Sequence, residues 1–224
     1  AKGAGMICPN MATMLGFVIT DAQVEPTWFK RALIKAVDLT FNRVSVDGDT
    51  STNDTVYCLA NGASGVEPLG QDLDRFAKAI NDVCGELAGM LVADGEGASR
   101  VAVLRILGAE SDTDAELAAR TIAHSPLVKT AIYGCDPNWG RIVAALGRSG
   151  AEFDPNRVRV RLCGVSVLDK GLPLDLDVDK VVAPLMQEDE VDIEVSMGDG
   201  PGSYSMLTSD LGHEYIKINA DYRT

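Results

Sequence analysis

Apolar positions along this chain fall into two rhythms. In MLGFVIT (14–20) and TVYCLAN (55–61), β-forming apolar residues run together, which predicts buried strands. Between them Trp28, Phe29, Ala32, Leu33, Ala36 and Val37 recur at three- and four-residue spacing. Pro26 suits a first helical position, so a helix is predicted over about 26–40. A longer helix is predicted over about 70–93, where Leu73, Phe76, Ile80, Cys84, Leu87 and Leu91 share a face and Asp94-Gly95 ends the run. Residues 1–12, with Gly3, Gly5 and Pro9, disfavour helix. The segment 45–56 (SVDGDTSTNDTV) is so dense in Asp, Ser, Thr, Asn and Gly that it reads as a loop. SRVAVLRILGA (99–109) reads as a strand.

Near residue 110 the pattern changes. SDTDAELAARTIAHS (111–125) opens on capping residues and continues as helix. PLVKTAIYG (126–134) and NWGRIVAALGRSG (138–150) predict two shorter helices around a rigid corner at CDPNWGR (135–141). Beyond them, period-two alternation in RVRVRLCG (157–164), EVDIEVSMG (190–198) and EYIKINA (214–220) predicts strands. The glycine-rich SMGDGPGSY (196–204) predicts a hairpin turn. The expected fold class is α/β (α+β), with one lobe over 1–110 and a second over 111–224.

Composition narrows the function classes. With 46% apolar and 24% charged residues, a chain of 224 residues buries a core rather than staying disordered. A net charge of −13 argues against nucleic acid and anionic lipid as partners. No apolar run approaches the roughly 20 residues of a membrane helix. Nor does the N-terminus carry a basic-then-apolar signal, so a cytoplasmic location is expected. The cysteines (Cys8, Cys58, Cys84, Cys135, Cys163) are widely spaced and form no CxxC pair. They suggest thiols in a reducing compartment rather than a zinc site or disulfides. No metal and no cofactor are expected. DGDTSTND (47–54) has the composition of a metal loop, but the twelfth position from Asp47 is Cys58, where a calcium loop needs glutamate. It reads as a structural or site-lining loop.

Candidate chemistry begins at Thr13, which opens an apolar strand directly after a glycine-rich loop. By residue type alone it is either a plain strand residue or, once the Ala12–Thr13 bond is cut, a nucleophile whose own α-amine is the base. The second reading needs no histidine, and the chain has only His124 and His213.

The run KGAGMICPNMATMLGFVITDA (2–22) closely resembles the self-cleavage segment of the ornithine acetyltransferases, the bifunctional glutamate N-acetyltransferases of arginine biosynthesis. The likeness recurs in FNRVSVDGDTSTNDTV (41–56), DGEGAS (94–99), KTAIYGCDPNWGRIVAALG (129–147) and INADYRT (218–224). It spans essentially the whole chain but about half of the family's precursor. It implies a β chain preceded by the last twelve residues of an α chain, with self-cleavage between Ala12 and Thr13. Further implications are Thr13 as nucleophile and Lys2, Glu96, Asn219 and Thr224 as substrate contacts. Without the likeness, these four read as a tail lysine, a turn glutamate and C-terminal tail residues. The resemblance also implies a layered α/β/β/α amidohydrolase-like fold with a smaller C-terminal α/β lobe whose tail returns to the site. The α chain would supply the oxyanion hole, the assembly would be α2β2, and the acetyl group of N-acetylornithine would pass to glutamate. Some members of the family also take acetyl-CoA as donor. The rival readings are an N-terminal-threonine amidohydrolase or aminopeptidase, and a non-catalytic subunit when the chain stands alone.

Overall fold

A computed structural model describes residues 1–9 and 14–221. The chain divides into two compact units, Ala1–Gly95 and Glu96–Thr224.

The first unit contains β1 (Leu15–Thr20), α1 (Pro26–Leu39), the short β2 (Val44–Ser45), β3 (Thr55–Ala60) and α2 (Gln71–Ala93). Pro26 starts α1, and the Glu25 carboxylate accepts hydrogen bonds from the amides of Thr27 and Trp28 at 2.8 and 2.7 Å. These two bonds hold the Glu25 carboxyl below its ordinary pKa. Phe76 of α2 stacks on Trp28 and Phe29 of α1, with ring centroids 6.0 and 6.3 Å apart. The strands β1 and β3 pair in parallel, with Leu15 opposite Thr55 and Thr20 opposite Ala60.

These strands are not buried on both faces, as their apolar runs suggest. Val18 and Cys58 lie around one crevice with Phe76 and Ile80. Phe17 and Tyr57, stacked at 5.5 Å, stand exposed on the other face with Ile19 and Leu59. Successive side chains point to opposite faces, so helices on one side cover only every second residue.

The second unit contains β4 (Val101–Ala109), α3 (Asp112–Ala123), α4 (Pro126–Tyr133), α5 (Trp139–Gly147) and β5 (Arg159–Leu162). After these come β6 (Val165–Asp169), β7 (Leu172–Pro173), α6 (Val178–Val181), β8 (Glu190–Ser196), β9 (Gly202–Ser209) and α7 (His213–Asp221). Its strands run in the order β9-β4-β8-β5-β6-β7. β4 and β8 are parallel and the other pairs antiparallel. Leu104, Ile106, Ile122, Leu146, Leu162 and Met206 fill a core between the sheet and its helices. Both units are mixed α/β, the class expected from the sequence. The division between them falls at Gly95, ahead of the pattern change at 110, because β4 pairs with β8 and β9 inside the second unit's sheet.

Two expectations are corrected. The segment 196–204 is not a hairpin turn: β8 and β9 both flank β4, and the connection crosses the end of that strand. A Cβ at Gly200 would lie 2.1 Å from the Ala109 carbonyl oxygen, so the glycines serve a close backbone crossing. The segment 214–220 is not a strand but most of helix α7. Its alternation is only seven residues long, whereas Glu214 and Lys217 pair at helical spacing, 3.3 Å apart.

Candidate active site

The loop 46–55 grips the chain on both sides of residues 10–13. Upstream, the Asp47 carboxylate accepts from the amides of Met6 and Ile7 at 2.7 and 3.1 Å. The Val46 amide donates to the Ile7 carbonyl at 2.7 Å, and the Thr50 hydroxyl to the Cys8 carbonyl at 2.9 Å. Downstream, the Met14 amide donates to Asp54 Oδ1, and the Thr55 amide to the Met14 carbonyl at 2.8 Å. Asp54 is buried, and its Oδ2 has no hydrogen-bond partner among the described residues. Burial pushes its carboxyl pKa up, partly offset by the Met14 amide. The abundance of short polar side chains that marks this segment as a loop is thus spent on backbone groups of a distant segment. Ala12 and Thr13, the expected scissile pair and nucleophile, lie outside the described residues, as does Thr224.

Lys2 belongs to the first unit. Its backbone exchanges two hydrogen bonds with Leu15, at 2.8 and 3.0 Å. It borders a cavity of about 410 Å³ with Gly3, Leu87, Met90, Leu91 and Asp94. That cavity is largely apolar, and Lys2 and Asp94 are the charged residues of its lining.

Glu96 and Asn219, two of the expected substrate contacts, come together in the second unit. Asn219 Nδ2 donates to Glu96 Oε2 at 2.9 Å and to the Tyr215 carbonyl at 3.1 Å. Gly97 makes this approach feasible: its φ is +69°, and a Cβ there would lie 2.3 Å from the Tyr215 amide nitrogen. Both side chains remain accessible. An ionised carboxylate has more acceptor sites than one amide can fill, so Glu96 retains capacity for a cationic group.

Asp47, Thr50 and Asp54 were legible in the sequence only as members of a polar loop. The corner expected at 135–141 is present: Asn138 caps α5 through the Arg141 amide, and Arg141 Nη1 reaches the Leu127 carbonyl at 2.8 Å. All five cysteines are free thiols. No helix among the described residues is long and apolar enough to cross a membrane.

A model of the ArgJ family matches residues 1–224. The "Arginine biosynthesis bifunctional protein ArgJ" of Nitratidesulfovibrio vulgaris is 56% identical over 224 residues, covering 100% of this chain and 57% of that protein. The protein of the same name from Desulfotalea psychrophila is 47% identical over 227 residues, with 100% and 58% covered. The chain therefore spans little more than half the length of these relatives. A crystal structure of arginine biosynthesis bifunctional protein ArgJ from Bacillus halodurans superposes with a TM-score of 0.88 at 38% identity. The match covers 94% of this chain and 100% of that one. The fold is shared, the likeness carried by the sequence motifs extends over every residue, and the chain belongs to the ArgJ family.

Proposed function

We propose that this chain is the β chain of a glutamate N-acetyltransferase together with the last twelve residues of its α chain, acting in arginine biosynthesis. The observation that carries the reading is the Glu96–Asn219 pair, which unites at 2.9 Å two residues 123 positions apart that the family resemblance implies as substrate contacts. The relatives' printed names support the pathway. Their extra length, set against a solved chain that is matched over its whole extent, supports a precursor divided into two chains.

Self-cleavage comes first. The Thr13 hydroxyl attacks the Ala12 carbonyl carbon, the peptide C–N bond breaks, and the acyl group passes from nitrogen to oxygen. Water then hydrolyses the ester, leaving a carboxylate on Ala12 and a free amine on Thr13. The grip of Asp47, Thr50 and Asp54 on both flanks would orient this bond. In transfer, the Thr13 amine takes the hydroxyl proton while the oxygen attacks the acetyl carbon of N-acetylornithine. Ornithine leaves with a proton on its amine, and an acetyl-threonine ester remains. The glutamate amine then attacks this ester and carries away the acetyl group, restoring the hydroxyl. The upstream α chain would supply donors for the tetrahedral oxyanion. Lys2 would pair with the α-carboxylate that both substrates share, and Glu96 with the ornithine side-chain ammonium. Thr224 would add a contact from the C-terminal tail. No step needs a metal or cofactor. The proposed assembly is α2β2, in the cytoplasm.

Intact-mass measurement after co-expression with the upstream segment tests both stages. The expected result is a chain beginning at Thr13 that gains one acetyl group with N-acetylornithine and loses it to glutamate as N-acetylglutamate forms. Acetyl-CoA offered instead of N-acetylornithine tests the second donor. Acetate released to water would favour the amidohydrolase. A chain neither cut nor acetylated would overturn the proposal. In steady-state transfer, Glu96→Gln should raise KM for N-acetylornithine about tenfold, the worth of one charge-assisted hydrogen bond.

A further inference from the structure

Two buried charged residues, Asp210 and Lys129, have no part in the transfer steps above. Asp210, just past the end of β9, is 3% exposed. Its Oδ1 accepts from the Ser99 amide at 2.8 Å and its Oδ2 from the Ser99 hydroxyl, while its own amide donates to the Arg100 carbonyl at 3.1 Å. Lys129 of α4 is 4% exposed. Its ammonium donates to the Thr208 hydroxyl at 2.9 Å, to the Ser209 carbonyl, and to the Ser209 hydroxyl at 3.4 Å. Its backbone carbonyl accepts from the Leu211 amide at 3.3 Å.

The segment 208–211 is therefore held from two sides. Lys129 holds it against α4, and Asp210 ties it to the strand entry three residues after Glu96. The next residue, Gly212, permits no side chain, because a Cβ there would lie 2.4 Å from the Tyr133 ring. Helix α7 starts at once and carries Asn219 back to Glu96. Charges taken out of water need their hydrogen bonds satisfied, as both are here by groups of the segments they join. What this polar knot adds is a fixed relation between the 96–99 turn and the start of α7.

We infer that Asp210 and Lys129 are positioning residues that hold Glu96 and Asn219 in register, and so set the selectivity of the site for an acyl donor with a cationic side chain. This rests on the proposed function, in which Glu96 faces the ornithine ammonium. The sequence carries one hint: Lys129 is the only charged residue in the helix PLVKTAIY.

The test uses the complete precursor, wild type against Asp210→Asn and Lys129→Met. Donors are N-acetylornithine and N-acetylnorvaline, which has the same chain without the amine. Asp210→Asn keeps the shape but removes an acceptor for Ser99. It should raise KM for N-acetylornithine about tenfold, as expected for a misplaced charged contact. KM for N-acetylnorvaline and kcat for both donors should stay within about threefold, well under that loss. Lys129→Met should lose the same discrimination. Unchanged discrimination, or an equal loss for both donors, would overturn the inference. Amide hydrogen exchange separates it from the functional reading. Faster exchange in both 96–99 and 213–221 of Asp210→Asn supports the coupling even if the wild type transfers no acetyl group, and unchanged exchange refutes it.

Discussion

Asp54 holds the Met14 amide with one carboxylate oxygen and keeps the other buried without a partner among the described residues. Desolvation raises its pKa above the usual 3.8, so the folded chain holds this proton more tightly than the unfolded chain does. The stability it contributes is therefore complete below that value and is lost as pH rises through the folded pKa. Against Asp54→Asn, which cannot ionise, the wild type should lose relative thermal stability as pH rises from the usual 3.8 through the raised folded value. Melting curves of the two proteins across that range would show it, and a constant difference would mean the carboxyl is not desolvated. Burial likewise pushes the Cys58 thiol up to about 11. At pH 8 it should react with iodoacetamide far more slowly than a free cysteine, as peptide mapping by mass would show. Neither environment is readable from residue type. Both follow from burial, on the side of β3 where Cys58 lies and at the end of the loop where Asp54 meets the chain.

At the scale of elements, long periodic segments were the most legible. The helices expected over 26–40, 70–93 and 111–125 are α1, α2 and α3 within a few residues at each end, because many positions agree on one face. Short segments were less so. EYIKINA alternates like a strand yet is helical, and the glycine-rich 196–204 crosses β4 instead of reversing the chain. The crossing makes a quantitative prediction. Gly200→Ala, with the Ala109 carbonyl oxygen 2.1 Å from the new carbon, should cost about 3 kcal/mol by overpacking. Gly150→Ala has a φ of +80° and nothing within 4 Å, so it should cost only about 1 kcal/mol of backbone strain. Urea unfolding of both variants measures the difference. Ser111→Ala removes the cap that accepts from the Asp114 amide at 3.1 Å and should cost about 1 kcal/mol on the same scale.

For the whole molecule, the bare face of the first unit's sheet sets the expectation. A two-stranded parallel sheet with Phe17, Ile19, Tyr57 and Leu59 exposed on one side is unusual, because parallel sheets are normally covered on both faces. Co-expression with the upstream segment of the proposed precursor should slow amide exchange in 15–20 and 55–60, and unchanged exchange would mean that the proposed α chain does not cover this face. The sequence by itself determined the α/β class, the main helices and the family, and the family likeness named the expected site residues. Each of these is encoded locally, in periodicity or in contiguous motifs such as 2–22 and 129–147. Only the tertiary structure decided that β4 belongs with the second unit and that loop 46–55 clamps both flanks of 10–13. It alone decided that Asn219 lies on a helix against Glu96, and that Asp210 and Lys129 are buried and hold the segment 208–211. These relations join residues about 40 to more than 120 positions apart. No local pattern encodes them, because they exist only once distant backbone groups must find partners away from water.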